Sequence, residues 1–160
     1  MKLYKSKRLL NIDNNPKTIK GQKYNYMTAI LYLAPARTSG YNVCALASAG
    51  CMASCLNTAG RGQMGSVQLG RINKTKYYFL ERENFLNQLR IEIKRHISRC
   101  KKKGFRPAIR LNGTSDIDWN IHGLYKEFPN VKFYEYTKIY KRALKYVKKQ
   151  YPKNFHLTYS

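Results

Sequence analysis

Cys44, Cys51 and Cys55 fall within twelve residues in the spacing C-x6-C-x3-C, and the fourth cysteine, Cys100, lies far from them. Three thiolates on one short segment can hold a metal centre and leave it an open coordination position. Structural zinc sites usually close with four protein ligands, whereas reactive ones keep a vacancy. Zinc here would need a fourth ligand from His96, His122 or His156, and the six-residue gap lies outside the C-x2-4-C usual for zinc pairs. An iron–sulfur cluster accepts wider gaps, because each thiolate binds a different iron. Ala45, Ala47, Ser48, Ala49, Gly50, Ala53 and Ser54 would let the backbone close around such a body and aim amides at its sulfides. The spacing favours a cluster over zinc, and zinc over three free thiols.

The elements that must position these thiols follow from hydrophobic periodicity. Residues 27–34 read as a strand ended by Pro35, so the cysteines lie on the long Gly/Ser/Ala-rich loop that follows it. Helices are expected over 66–80, 84–102, 119–128 and 138–150, and further strands over 108–112, 131–136 and 155–159. In the second helix Leu86, Leu89, Ile93, Ile97 and Cys100 share one face, which makes Cys100 a buried core thiol. In the last, Tyr140, Leu144, Val147 and Tyr151 are in register as an apolar face. Strands alternating with helices imply an α/β fold with a small, mostly parallel sheet and helical crossovers. Residues 1–26 are polar and basic and read as an N-terminal arm, with 27–160 as one α/β domain.

Two further segments end strands at the same presumed edge. In Arg110-Leu-Asn-Gly-Thr-Ser-Asp-Ile-Asp-Trp, Asn112, Ser115 and Asp116 could face a ligand beside the cysteine loop; alternatively Asp116 caps the helix at Trp119. Arg110, on a strand, calls for a partner, for which Asp116, Asp118 or an anionic ligand is expected. In Phe133-Tyr-Glu-Tyr-Thr-Lys, Glu135 and Lys138 bracket the strand end. Tyr134 and Tyr136 read as sheet packing, with base stacking as the alternative. Asn57-Thr-Ala-Gly-Arg-Gly is a weak match to a phosphate-cradling turn.

Thirty-one Lys and Arg against eight Asp and Glu leave a formal charge of +23, which suits a polyanionic partner, nucleic acid first. No secretory leader and no membrane-spanning run is visible, so a reducing compartment with free thiols is expected.

The motifs Val43-Cys44 to Cys55-Leu-Asn-Thr-Ala-Gly-Arg-Gly, Arg110 to Trp119, Phe133 to Lys138 and His156-Leu-Thr-Tyr-Ser resemble those of the tailed-phage gene-product-eighty-eight-like proteins. The resemblance runs from about Lys20 to the end. It implies a bacteriophage origin, the cytoplasm of an infected bacterium or the virion as location, and a cysteine-ligated cluster. That group is more distantly similar to radical S-adenosylmethionine enzymes, which place three cysteines after the first strand of a partial (β/α) barrel. This implies a truncated barrel, a [4Fe-4S] cluster with one open iron, and S-adenosylmethionine as a candidate ligand with Asn112, Ser115 and Asp116 as its polar contacts. The spacing here differs from the C-x3-C-x2-C of those enzymes, and no Gly-Gly-Glu strand is present. Three readings stay open: an enzyme, a redox or sensing module that binds nucleic acid, and a virion-associated protein stabilised by its cluster.

Overall fold

In a computed structural model, which describes residues 5–12 and 16–160, the chain folds around one five-stranded sheet. Strands β1 (Leu10–Ile12), β2 (Tyr26–Leu31), β3 (Arg106–Arg110), β4 (Lys132–Thr137) and β5 (Phe155–Tyr159) stand in chain order across it. β1 is antiparallel to β2, and β2 to β5 are parallel. The fold is therefore α/β with a mostly parallel sheet, as the sequence pattern implies.

The helices are α1 (Pro16–Lys20), α2 (Ala49–Ala53), α3 (Gly65–Leu80), α4 (Arg82–Lys102), α5 (Leu124–Glu127) and α6 (Tyr140–Val147). Crossovers of one hand between strands in monotonic order must all lie on one face of the sheet. The burial pattern agrees. Ala29, Leu31, Ile109, Leu111, Phe133, Phe155 and Leu157 join Tyr77, Tyr78, Phe85, Leu89, Ile93, Trp119, Leu124 and Tyr125 in a single core. Phe85, Leu89 and Ile93 have no exposed surface, and each contributes about 1.5–3 kcal/mol by leaving water. His96, one turn further along α4, is also buried and lies 3.1 Å from the Met27 carbonyl through Nε2, joining helix to strand. Cys100 completes this stripe in the core, as expected.

Three details depart from the sequence pattern. Four strands were legible, but Leu10–Ile12, within the segment expected as an arm, forms a fifth. Leu9 and Leu10 are buried, and Glu92 accepts the amides of both, at 2.9 and 2.8 Å. Three residues are too short to display an alternation. The helix expected over 119–128 is a 3-10 turn (Trp119–His122) followed by α5. Gly123, at φ 71°, takes the left-handed conformation that stops the first turn. Finally, α6 turns the apolar register away from the core. Tyr140 and Val147 are exposed, while Arg142 is buried and Tyr146 packs edge-on against Phe155. Periodicity identifies an amphipathic helix, but the partner of Arg142 decides which side faces inward.

On the other side of the sheet, Gly21 in the 3-10 turn Gly21–Tyr24 comes close to Tyr26 and Thr28 and covers the β2 end. The even-numbered residues of β4 and β5 on that face remain half-buried or exposed. Among the described residues no helix is long and apolar enough to cross a membrane.

Replacing Glu92 with Ala leaves two amides of the β1 segment without an acceptor. The expected cost is about 1–3 kcal/mol, with faster hydrogen exchange at Leu9 and Leu10 than elsewhere in the sheet; a loss below 0.5 kcal/mol would contradict this role.

Candidate metal centre

The cysteine loop leaves the carboxyl end of β2 and is tied to the carboxyl end of β3. The Leu31 carbonyl accepts from Gly113 N at 2.9 Å, the Leu33 carbonyl from the Thr114 hydroxyl at 2.5 Å, and the Val43 carbonyl from Asp116 N at 2.8 Å. Gly113 has to be glycine, since a Cβ there would sit 2.7 Å from the Leu31 carbonyl oxygen and closer still to the Tyr32 ring. These bonds set Cys44 beside the 111–118 segment, with its Sγ 3.8 Å from the Thr114 carbonyl.

All three clustered thiols are half-buried and free. Burial, before any other cause, raises the Cys44 thiol above its ordinary value; the Ala36 amide draws it down, and Cys55, Asp116 and Cys51 raise it further. Cys55, Asp116 and Cys51 thus lie near enough for the Cys44 thiol to feel their charge. Cys51 lies on α2, whose first turn is capped by Ser48 through a 3.1 Å bond from Cys51 N. Cys55 follows that helix and precedes the 3-10 turn Leu56–Thr58.

Arg71 of α3 brings a guanidinium to this edge beside the cysteine loop. Its guanidinium lies 5.0 Å from the centre of the Tyr32 ring and bonds the Asn57 side chain. Burial holds it below its ordinary value, while Tyr32 and Cys55 favour its charge. Asn57 is itself buried and exchanges bonds with Gln68, 2.8 Å each way. The turn expected as a phosphate cradle is thus closed upon itself: the amides of Thr58, Ala59, Gly62 and Met64 bond to carbonyls within 55–61.

The three expected ligand contacts are held by protein partners. Asn112 is buried; its Oδ1 accepts from Ser115 Oγ, Ile117 N and the Trp119 indole, and its Nδ2 donates to the Ile117 carbonyl. Asp116 accepts from Thr137 Oγ1, Lys138 N and, at 2.5 Å, Arg142. Asp118, rather than Asp116, caps the turn at Trp119. Arg110 pairs with neither acid. Strand alternation puts it on the far face, where it donates to the Asn112 carbonyl at 2.9 Å and stacks on Tyr136. The guanidinium that pairs with Asp116 is Arg142, which the sequence hid among the lysines of a basic helix.

Glu135 is wholly buried on β4 and accepts the amides of Leu111 and Asn112 at 2.9 and 3.0 Å. It takes the place of a backbone acceptor where β3 ends before β4 does. Burial pushes its carboxyl up to about 7, although Arg142, these amides and Arg110 all favour the charge.

A family model described as Gene product 88 matches residues 2–160. The chain belongs to the Gene product 88 family. This is the phage gene-product family to which the motifs pointed. No curated protein and no solved structure matches the chain.

Among the described residues no three His, Cys, Asp or Glu side chains are grouped so as to hold a metal ion. Two of the histidines that could complete a zinc site are engaged elsewhere, His96 at Met27 and His122 at the Tyr78 hydroxyl, while His156 lies on the far face of the sheet.

Gly113→Ala is expected to destabilise by about 1–3 kcal/mol, measured by urea unfolding, because backbone on β2 must move to admit the methyl. Glu135 carries a pH signature. Its folded value of about 7 lies above the unfolded 4.5, so its stabilising contribution is complete below pH 4.5 and is lost as pH rises to 7. Relative to Glu135→Gln, the wild type should lose stability over that window, at most on the order of 3 kcal/mol. A pH-independent difference between the two would contradict the buried-carboxyl reading.

Proposed function

We propose that this Gene product 88 family protein holds one four-iron cluster through Cys44, Cys51 and Cys55, with one iron left open to a small ligand. The observation that carries the reading is the joint position of the three thiols. They lie on one loop after the first parallel strand, which Cys44 joins to the Thr114 carbonyl at the carboxyl edge where open α/β sheets bind ligands. A cluster with three thiolates is anionic, and Arg71 beside Cys55 supplies a compensating charge. The Ala36 amide favours the Cys44 thiolate in the same way.

The monotonic parallel sheet with helices on one face is also what a truncated (β/α) barrel requires. Under this reading the chain is radical-S-adenosylmethionine-like in plan, and S-adenosylmethionine is the first ligand to test at the open iron. Asn112, Ser115 and Asp116 serve as positioning residues. Their side chains brace the 111–118 segment against Trp119 and Arg142, and that segment carries the Thr114 carbonyl to Cys44. The place of action is the cytoplasm of a phage-infected bacterium, where thiols stay reduced.

Protein purified without oxygen should be brown and contain iron and acid-labile sulfide. Cys51→Ala should lose most of both, whereas Cys100→Ala should keep them and lose only about 1 kcal/mol of stability. Stoichiometric zinc with neither iron nor sulfide, from iron-replete cells, would overturn the cluster.

A further inference from the structure

We propose that the sheet face turned away from the helices binds single-stranded nucleic acid by stacking its bases. Strand alternation gathers Arg106, Arg110, Lys132, Tyr134, Tyr136, His156 and Thr158 there. The N-terminal turn covers the β2 side, and the β4–β5 side stays accessible, with Tyr136 45% exposed. Two rings on this side of the sheet, the exposed Tyr136 and the half-buried Tyr26, are each paired with a cation. The Arg110 guanidinium lies 4.8 Å from the Tyr136 ring centre, and Arg106 lies 4.6 Å from that of Tyr26. Lys132 neighbours His156. Thr28 lies beside Tyr134 and favours the charged form of its phenol.

Charge complementarity identifies the occupant. Of eight acids in the chain, Asp13 lies outside the described residues. The other seven belong to the helical side, its loops or the buried network: Glu81, Glu83 and Glu92 around α4, Glu127 at Arg90, Asp116 at Arg142, Asp118 at Tyr151, and Glu135 within the core. This face therefore presents aromatic and guanidinium planes among cations with no described carboxylate beside them. Bases stack on both kinds of plane, and phosphates follow the cations. A duplex keeps its bases stacked internally and offers such a platform only its backbone. The partner that fits is a single strand. The inference does not rest on the cluster, because no cysteine lies on this face.

The test is fluorescence anisotropy of the full-length protein with a labelled oligothymidylate and with a duplex of equal length, over a range of salt. Tyr136→Ala should weaken the single-strand complex about tenfold with its salt slope unchanged, since stacking releases no counterions. Tyr136→Phe should restore it. Replacing Arg106 and Lys132 of the same face should instead flatten the slope, since these cations meet phosphates. Ultraviolet cross-linking of a halogenated oligonucleotide to Tyr136 or His156 would support the platform independently of mutation. Equal affinity for duplex and single strand, or no effect of Tyr136→Ala in a variant with wild-type circular dichroism, would overturn it and leave only general attraction to a +23 protein.

Discussion

A buried ion pair fixes the edge on which everything else is built. Asp116 and Arg142 meet at 2.5 Å with side chains 13% and 5% exposed, and the same carboxylate accepts from Thr137 and the Lys138 amide. Removing one partner of such a pair leaves a charge in a poorly solvating place, which costs several kcal/mol. The pair is weak evidence for stability taken by itself, but its geometry does something packing alone would not. It fastens the loop after β3 to the end of β4 and the start of α6 at once. The Asp116 amide meanwhile holds Val43, one residue before Cys44. Glu135 extends the same device two residues earlier in β4 by taking the Leu111 and Asn112 amides. The cysteine loop is thus hung from a braced frame, although its own helix, α2, has only five residues.

Much of the frame was legible in the sequence, and the illegible parts share a cause. Strands β2 to β5, helices α3 and α4, and the burial of Cys100 follow from periodicity, because each is long enough to show its face. β1 is fixed by Glu92, eighty residues away, and no local pattern announces that. The orientation of α6 escaped for the same reason: Tyr140, Leu144 and Val147 make the better apolar stripe, yet Arg142 and Tyr146 face inward. At the site, the cysteine loop and the 111–118 segment were legible as neighbours, since both follow parallel strands, and Cys44 meets the Thr114 carbonyl there. The roles within that segment were not. Asn112, Ser115 and Asp116 read as ligand contacts because polar residues at a sheet edge often are, whereas here they bond to Trp119, Ile117, Thr137 and Arg142. Arg142 and Arg71 carry no signal that distinguishes them from the other basic residues of a strongly basic chain.

The two faces of the sheet divide the chemistry between them. The covered face holds the core and, at its carboxyl edge, the cysteine loop. The uncovered face carries the cations and rings and none of the described acids. A chain with so few carboxylates has placed Asp116 and Glu135 where they organise backbone, not where they would repel a polyanion. Arg110 joins the two regions: it donates to the Asn112 carbonyl of the braced loop and stacks on Tyr136 of the open face.

The central claim is that three thiolates of one loop hold a cluster with one iron unlike the others. Mössbauer spectroscopy of protein loaded with iron-57 addresses it most directly, recorded before and after addition of S-adenosylmethionine. The account predicts a four-iron spectrum in which a single iron is set apart by its non-cysteine ligation and responds to the added ligand. Four equivalent irons that ignore it, or the spectrum of a mononuclear tetrathiolate iron, would contradict the claim.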